Sequence, residues 1–249
     1  MARLGKTIVR LDEVGSTNSL VLGNESYLGQ DGLVVIARRQ TAGRGRMGRT
    51  WFNLPGEQMF ASIVVHPGTA AADTPAIALI AGLSVADALA DACAVDARLK
   101  WPNDVLINGR KVAGILAESK PSPRGAQQLV IGIGVNCQGS TGDAPPELQA
   151  ALTTLAQETG QAVSPDTVLQ AILQRLEAQL ERLAGGHKTE LLVAWARKAQ
   201  VVGRRVGFPL PKGRGDGIAQ GITPEGYLVV EDVAGLRHIL VSCEVRWRD

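Results

Sequence analysis

The stretch KWPNDVLINGRKVAGILAE, residues 100–118, decides the fold because it predicts two neighbouring antiparallel strands. Asn108 and Gly109 stand between two apolar runs, and an Asn-Gly pair in that position is typical of a two-residue hairpin turn. Each apolar run is long enough to form one strand of the hairpin. We therefore expect a β-sheet to run through the middle of the chain.

The predicted turn also determines which side chains share a face of the hairpin. It sets Ile107 opposite Arg110, Leu106 opposite Lys111, and Asp104 opposite Ala113. Asp104 and Lys111 are then diagonal neighbours, with β-carbons about 7–8 Å apart, so a carboxylate and an ammonium can converge on one ligand. The sequence predicts a charged hairpin face that carries Asp104, Leu106, Lys111 and Ala113.

Strand and helix patterns lie on both sides of this hairpin. Apolar runs at 7–11, 32–37, 59–65 and 129–136 predict strands, and the two glycines of the last run leave space for another group to approach closely. Helices are predicted after the capping residues 15–18, over 73–93 with an interruption at Gly82, from Ser164 to about residue 183, and over 191–199. Glycine-punctuated β-type runs after residue 200 predict a small β-barrel. We expect an α+β chain with domains at 1–200 and 201–249.

Composition excludes several classes of function. The formal net charge is +2, far below that of a dedicated nucleic-acid-binding protein. The three cysteines have no CxxC spacing and the three histidines stand alone, which argues against a disulfide framework and a zinc site. No apolar run approaches the roughly 20 residues that span a bilayer, and the N-terminus lacks a secretory apolar core. We therefore expect a cytoplasmic protein without a membrane partner.

A glycine-rich loop concentrates positive charge. The stretch TAGRGRMGRTW, residues 41–51, places Arg44, Arg46 and Arg49 among three glycines. Because glycine reaches backbone angles that other residues avoid, this segment is predicted to be a flexible cationic loop. Such a loop could fold over an anionic small molecule, contact a nucleic-acid backbone or remain a solvated surface turn.

Five motifs in a fixed order resemble the biotin protein ligase family. They are STN at 16–18, QTAGRGRMGRTW at 40–51, KWPNDV at 100–105, RKVAGILAE at 110–118 and GIGVN at 132–136. The tail, with GITPEGYLVVED at 221–232 and SCEVRWR at 242–248, resembles the small C-terminal barrel of that family. The chain departs at Met47, where the loop usually carries another arginine, and at Ser242 and Cys243, which replace a more usual glycine. The resemblance implies a mixed sheet flanked by helices, like class II aminoacyl-tRNA synthetases and biotin ligases, followed by an SH3-like barrel.

The same resemblance implies ATP-dependent joining of biotin to a lysine of a carrier protein. The reaction would pass through biotinyl-5′-adenylate, with Mg²⁺ arriving as its ATP complex, and release AMP and pyrophosphate. The acceptor would be the biotin carboxyl carrier protein of acetyl-CoA carboxylase or a related carboxylase. In the first step a carboxylate attacks a triphosphate, and two such anions need fixed positive charge around them.

Residue roles follow from the same motifs. The resemblance assigns biotin binding to Ser16, Thr17, Asn18, Gln40, Arg44, Gly45, Arg46 and Lys111. It assigns ATP binding to Arg44, Arg46, Trp51, Lys100, Asn103 and Asn136, and catalysis to Lys111, Arg46 and Asp104. Because an unperturbed lysine has a pKa near 10.4, something must take its proton, and we hypothesise that Asp104 orients the carrier amine. A purely structural salt bridge is the alternative role for Asp104.

Two other functions remain open at this stage. A lipoate or octanoate ligase or transferase would share the catalytic fold but would need a different glycine-loop motif. Some members of the family also repress transcription through a preceding helix-turn-helix domain. Because the first predicted strand begins near Thr7, we expect no sequence-specific DNA binding. Homodimerisation through sheet edges is left undecided by the sequence.

Overall fold

A computed structural model describes residues 3–67, 74–122, 127–210, 213–243 and 245–248. The elements in chain order are β1 (Ile8–Val14), α1 (Thr17–Leu22), α2 (Glu25–Leu28), β2 (Val34–Gln40), β3 (Met59–Val65), α3 (Thr74–Cys93), β4 (Ala97–Lys100), β5 (Asp104–Ile107), β6 (Arg110–Pro121), β7 (Gln127–Val135), α4 (Pro146–Gln149), α5 (Leu155–Thr159), α6 (Pro165–Ala184), α7 (Lys188–Ala199), β8 (Arg205–Pro209), β9 (Arg214–Ile222), β10 (Leu228–Asp232), β11 (Arg237–Leu240) and β12 (Arg246–Arg248).

The first seven strands form one mixed sheet in the order β1-β2-β3-β7-β6-β5-β4. The β1–β2 pair is parallel and the other pairs are antiparallel. Helices α3, α6 and α7 pack together on the sheet, while α1 contacts β2, β3 and β7. All seven residues of β3 are buried, as expected for a central strand covered on both faces. The predicted mixed sheet flanked by helices is confirmed.

Helix α3 runs without a break through Gly82, so the predicted interruption at that glycine is wrong. A β-carbon at Gly82 would lie 3.6–3.8 Å from Leu99, Ile115 and Trp195, which is ordinary packing distance. The predicted start at Asp73 lies outside the described residues. By length and composition alone α3 could cross a membrane, but 67% of its most apolar stretch is buried inside the protein, as in a core helix.

The predicted hairpin between β5 and β6 is confirmed, with one change of register. Ile107 pairs with Arg110 and Leu106 with Lys111, as expected. Asp104, however, pairs with Gly114, so the predicted pairing with Ala113 is wrong. The pairing shifts between Leu106 and Val105, which leaves Val112 as an extra residue in β6. The sequence pattern predicted the turn but not this bulge.

A second, antiparallel sheet follows in the order β11-β10-β9-β8-β12. It has the form expected of a small SH3-like unit, while the domain boundary at residues 200 and 201 stays a prediction. At the turn between β9 and β10, two contacts join this sheet to the first part of the chain. Trp101 Nε1 donates to Gly226 O at 3.0 Å, and Gly226 lies against Ala76 at the beginning of α3.

Candidate functional site

The motifs converge on one pocket of about 160 Å³ beside β7 and the β5–β6 hairpin. All but one of the predicted site residues line it: Ser16, Thr17, Asn18, Gln40, Arg44, Gly45, Arg46, Trp51, Lys100, Asn103, Asp104 and Lys111. Cys243 and Val245 of the C-terminal segment also line it. The pocket is therefore built from segments more than 200 residues apart in sequence, and both parts of the chain contribute to it.

Neutral hydrogen-bonding groups collect where α1 begins. Ser16 is the N-cap of α1, and its hydroxyl accepts from the Ser19 N–H at 3.4 Å. Gln40, at the end of β2, accepts from the Thr17 N–H at 2.8 Å through Oε1. Ser16, Thr17 and Gln40 are all buried, so their orientation is fixed by these contacts.

Asn18 is held by three partners. Its Nδ2 donates to Glu118 Oε2 at 2.8 Å and to Leu116 O at 3.1 Å, while Ser62 Oγ lies 2.5 Å from its Oδ1. Gly132 supplies the space for this amide, because a β-carbon there would lie 2.8 Å from Asn18 Cγ. The close approach predicted at the glycines of β7 is thus made, at Gly132, by a side chain of the pocket.

The cationic loop closes on itself by main-chain hydrogen bonds. Gly45 N donates to Arg49 O at 2.6 Å, and Trp51 N donates to Gly43 O at 2.9 Å. A single 3-10 turn spans Arg46–Gly48, with Met47 at a φ of 56°. Apart from that turn and an antiparallel bridge between Arg44 and Thr50, the segment is irregular, as predicted.

The two arginines assigned to the ligand point at different partners. Arg44 donates to both carboxylate oxygens of Glu118. Arg46 Nη2 donates to Ser242 Oγ at 2.8 Å, which ties the loop to the C-terminal segment. Burial lowers the pKa of Arg46, while the nearby Asp104 and Cys243 act to raise it. An arginine with such neighbours remains a cation at neutral pH.

The Lys111 ammonium contacts a carboxylate and an indole ring in the pocket. Its Nζ lies 2.5 Å from Asp104 Oδ1 and 5.1 Å from the Trp51 ring centroid. Lys100 is the direct cross-strand partner of Asp104, so its side chain starts on the same face. The predicted convergence of Lys111 and Asp104 on one face is confirmed.

The Trp51 ring packs on two glycines of neighbouring strands. β-carbons at Gly114 and Gly134 would lie 2.7 Å and 2.9 Å from ring atoms of Trp51, so only glycine leaves room for the indole at these positions. Phe60 meets the ring edge-on at a centroid distance of 6.4 Å. Trp51 Nε1 is buried without a hydrogen-bond partner among the described residues.

Asn136 does not line the pocket. Its side chain is buried, and Nδ2 donates to Thr153 O at 3.1 Å and approaches Lys111 O at 3.5 Å. In this structure Asn136 contacts the main chain behind Lys111 and not the space assigned to ATP. Asn103 lines the pocket, and its amide donates to Ile115 O at 3.0 Å.

Sequence reasoning missed three partners of the site. Glu118 ends a quoted motif, yet no role was expected for it. Ser62 is the one hydroxyl in the otherwise apolar strand β3, which was a usable signal for a buried polar contact. Ser242 had no signal as a loop partner, because its contact with Arg46 spans 196 residues of sequence.

The arrangement suits a ligand that combines an uncharged polar group with an anionic group. Neutral donors and acceptors from α1 and β2 share the pocket with Arg44, Arg46 and Lys111, which are suited to oxyanions. Within the described ranges, no group of three His, Cys, Asp or Glu side chains could hold a metal ion.

Comparison with known proteins identifies a family. The sequence profile of the biotin/lipoate A/B protein ligase family matches residues 14–136. The chain is 37% identical over 217 residues to a biotin–[acetyl-CoA-carboxylase] ligase of Paracoccus denitrificans, covering 85% of this chain and 88% of that protein. It is 31% identical over 236 residues to the bifunctional ligase/repressor BirA of Bacillus spizizenii, covering 95% and 73%. The biotin protein ligase of Aquifex aeolicus in complex with biotin and ATP superposes with a TM-score of 0.82 at 28% identity, covering 98% and 100%.

Proposed function

The chain belongs to the biotin/lipoate A/B protein ligase family, and from this premise we propose that it is an ATP-dependent biotin protein ligase. It activates biotin as biotinyl-5′-AMP and transfers it to one lysine of a biotin carboxyl carrier protein, releasing AMP and pyrophosphate. The observation that carries this proposal is that neutral hydrogen-bonding groups line the same pocket as the cationic side chains of Arg44, Arg46, Lys100 and Lys111. The relative from Aquifex aeolicus, bound to biotin and ATP, supports the choice of both substrates.

Biotin recognition falls to the groups around the start of α1. Ser16, Thr17, Asn18 and Gln40 offer fixed donors and acceptors to the uncharged ureido ring. The arrangement is preorganised, because Ser62 and Glu118 already orient Asn18. A preorganised site loses less conformational entropy when the ligand binds.

The anionic centre of the reaction falls to Arg44, Gly45, Arg46 and Lys111. Attack of the biotin carboxylate on the α-phosphorus of ATP brings two anions together, and these cations oppose their repulsion. Arginine presents a planar fork to carboxylate and phosphate oxygens, while lysine acts as a point charge. The loop segment over the pocket shields the mixed anhydride from water.

ATP binding falls to the remaining lining residues. Trp51 provides an apolar surface for the adenine, and Lys100 and Asn103 face the polyphosphate. Mg²⁺ enters as the ATP complex, and the oxygens of Asn103 and Asp104 are of the kind it prefers. When bound, Mg²⁺ supplies further positive charge to the phosphates. Asn136 contacts the main chain behind Lys111, and the adenine contact expected from its motif stays a prediction.

Transfer to the carrier requires a neutral lysine amine. Asp104 is the carboxylate of the pocket lining and is positioned to orient that amine after Lys111 turns to the ligand phosphate. We place the reaction in the cytoplasm, with the carrier of acetyl-CoA carboxylase or a related carboxylase as partner and no sequence-specific DNA.

The proposal is tested by incubation with biotin, ATP and Mg²⁺, followed by native mass spectrometry. We expect a mass increase equal to biotinyl-adenylate on the protein. Substituting lipoate or octanoate in an ATP–pyrophosphate exchange assay separates biotin ligation from the other activities of the family. Exchange that depends on lipoate or octanoate but not on biotin would refute the proposal.

A homodimer remains a prediction, and the edges of the first sheet, β1 and β4, are where side-by-side strand pairing would occur. Sedimentation velocity with and without biotin and ATP distinguishes monomer from dimer.

A further inference from the structure

Glu158, on α5, is a buried carboxylate outside the pocket that gathers donors from the hairpin and from the segment before α5. Its side chain is 5% exposed. It accepts hydrogen bonds from Asn108 Nδ2 at 2.7 Å, Arg110 Nη2 at 2.7 Å and Thr153 Oγ1 at 2.5 Å. Burying a carboxylate without such partners costs several kcal/mol, so these contacts act as a unit.

The carboxylate of Glu158 remains charged in this setting. Burial acts to raise its pKa, but the hydrogen bonds from Thr153 and Asn108 and the charge of Arg110 outweigh burial, and the pKa lies below its ordinary value. A fixed negative charge therefore holds the hairpin turn against α5.

The main chain of Lys111 is bonded to the segment that precedes α5. Lys111 N donates to Ala151 O at 2.8 Å, and Lys111 O accepts from Thr153 N at 2.9 Å. Asn136 Nδ2 donates to Thr153 O at 3.1 Å. Thr153 is thus joined to Lys111 through its main chain and to Glu158 through its hydroxyl.

The direction of the Lys111 side chain depends on this frame. Val112, the extra residue of β6, follows Lys111 directly, and a bulge changes the aim of the side chains beside it. With the turn held by Glu158, Lys111 Nζ reaches Asp104 and the face of Trp51. A shift of the turn would move the ammonium relative to the pocket.

We propose that Glu158 is a positioning residue for Lys111, acting through the hairpin turn and Thr153 without touching a ligand. The inference rests on the proposed function, because Lys111 is assigned there to the anionic centre. It adds a residue that lies outside all five sequence motifs and outside the pocket lining.

The test measures adenylate formation by biotin-dependent ATP–pyrophosphate exchange in the 249-residue chain. We expect Glu158→Ala to lower kcat/KM for biotin at least about tenfold, since an error of about 1 Å in placing a reacting group can cost on the order of a hundredfold. KM for ATP should change less than about twofold, because the substitution affects the placement of a reacting group and not the other ATP contacts. Glu158→Gln keeps one acceptor oxygen for Arg110 and Thr153, so its kcat/KM for biotin should lie between those of the parent and Glu158→Ala.

A double-variant comparison separates positioning from general stability. If Glu158 acts through Lys111, Glu158→Ala combined with Lys111→Met should be no slower than Lys111→Met alone. Glu190 is the matched control, because its carboxylate pairs with Arg182 and His187 on the surface, far from the hairpin in sequence. Glu190→Gln should behave like the parent.

The outcomes distinguish this inference from the proposed function. A parent protein without biotin-dependent exchange refutes the proposed function itself. If the parent is active and both Glu158→Gln and Glu158→Ala have the parental kcat/KM for biotin, only the positioning role is refuted. The positioning role is also refuted if the losses of kcat/KM from Glu158→Ala and Lys111→Met multiply in the double variant. If Glu158→Ala does not fold, Glu158→Gln alone decides: intermediate kcat/KM supports positioning, and parental kcat/KM overturns it.

Discussion

Gly132 lies against the side chain of Asn18 in the pocket. Because Gly132 has no side chain, the amide of Asn18 can occupy the space beside it. A β-carbon at Gly132 would overlap the Asn18 side chain, whose partners Ser62, Leu116 and Glu118 leave it little freedom. We predict that Gly132→Ala raises the Kd for biotin about tenfold, since overpacking costs about 1–3 kcal/mol. Isothermal titration with biotin measures this change.

Gly15→Ala is the control for this substitution. Gly15 directly precedes Ser16, and a β-carbon there meets nothing within 4 Å. Its Kd for biotin should stay within about twofold of the parent, well inside the tenfold step of 1.4 kcal/mol. Equal affinities for parent and Gly132→Ala would show that the amide of Asn18 does not orient biotin.

Arg46 combines a half-buried guanidinium with a contact to the C-terminal segment, and its removal should weaken retention of the intermediate. We predict that Arg46→Gly releases biotinyl-adenylate about ten to a hundred times faster, because a hydrogen bond to a charged group contributes about 1.5–3 kcal/mol. Rapid gel filtration of the loaded protein measures the release.

Met47→Gly separates charge from flexibility in the Arg46 experiment. Met47 is 69% exposed and already adopts a positive φ, so glycine adds loop freedom without removing a cation. Its release rate should match the parent. If Arg46→Gly retained the intermediate as long as the parent does, the assignment of Arg46 to the phosphate would be wrong.

Asp104 is bonded to Lys111, so its charge can serve either the salt bridge or the carrier amine. We predict that Asp104→Asn slows transfer to the carrier about a hundredfold, at the lower end of general acid–base contributions, and slows adenylate formation much less. Single-turnover transfer from preformed intermediate, compared with pyrophosphate exchange, separates the two steps. Equal losses in both steps would leave only the salt bridge.

At the scale of the element, helix α3 contains Gly82 at a position where the backbone conformation does not require glycine. Gly82 lies in the middle of a regular helix, and an added methyl group would meet its neighbours at packing distance. We predict that Gly82→Ala stabilises the protein by about 0.5–1 kcal/mol and raises Tm by about 2 °C. Differential scanning calorimetry measures the shift.

Gly160→Ala provides the opposite case. Gly160 ends α5 at a φ of 72°, where a side chain adds strain even though a β-carbon there meets nothing within 4 Å. Its Tm should fall. A lower Tm for Gly82→Ala as well would mean that the buried face of α3 does not tolerate the methyl group.

The elements show how far sequence patterns reach. The Asn-Gly turn, the apolar strand β3 and the amphipathic helix α6 follow from local chemistry, and each is predicted within a few residues, although Ser164 at the N-cap of α6 makes no side-chain capping hydrogen bond. The bulge at Val112 was not, because alternation of apolar residues indicates which face a side chain occupies but not where an extra residue interrupts the pairing. The break expected at Gly82 failed for a related reason: packing on Leu99 and Trp195 outweighs local helix propensity.

At the scale of the whole molecule, the turn between β9 and β10 meets the beginning of α3 at Gly226. Its φ is 92°, and a β-carbon there would lie 2.7 Å from Ala76 N. We predict that Gly226→Ala lowers the free energy of unfolding about 1–3 kcal/mol more than Gly235→Ala does. Gly235 has a similar φ of 79° with nothing within 4 Å, so the pair isolates the contact between the β9–β10 turn and α3. Urea unfolding measures both variants, and equal losses would contradict a tight contact.

The site was predictable only where motifs mark it. The residues of STN, the cationic loop and KWPND reach one pocket as expected, because each motif lies at the end of an element of the first sheet. Glu118, Ser242 and Glu158 were missed because their contacts join separate segments of the chain, which local patterns do not encode, whereas Ser62 carried a local signal as the one hydroxyl of β3.

Two of the pocket's cations already have carboxylate partners, Arg44 with Glu118 and Lys111 with Asp104. An anion that binds Arg44 or Lys111 must therefore exchange places with an internal carboxylate, and the net gain in attraction at these two side chains is small. Phosphate or chloride from the surrounding solution makes no additional contact that would compensate for displacing the carboxylate. A ligand whose neutral ring also forms hydrogen bonds in the pocket does make such contacts. The internal carboxylates therefore make the pocket selective against simple salts.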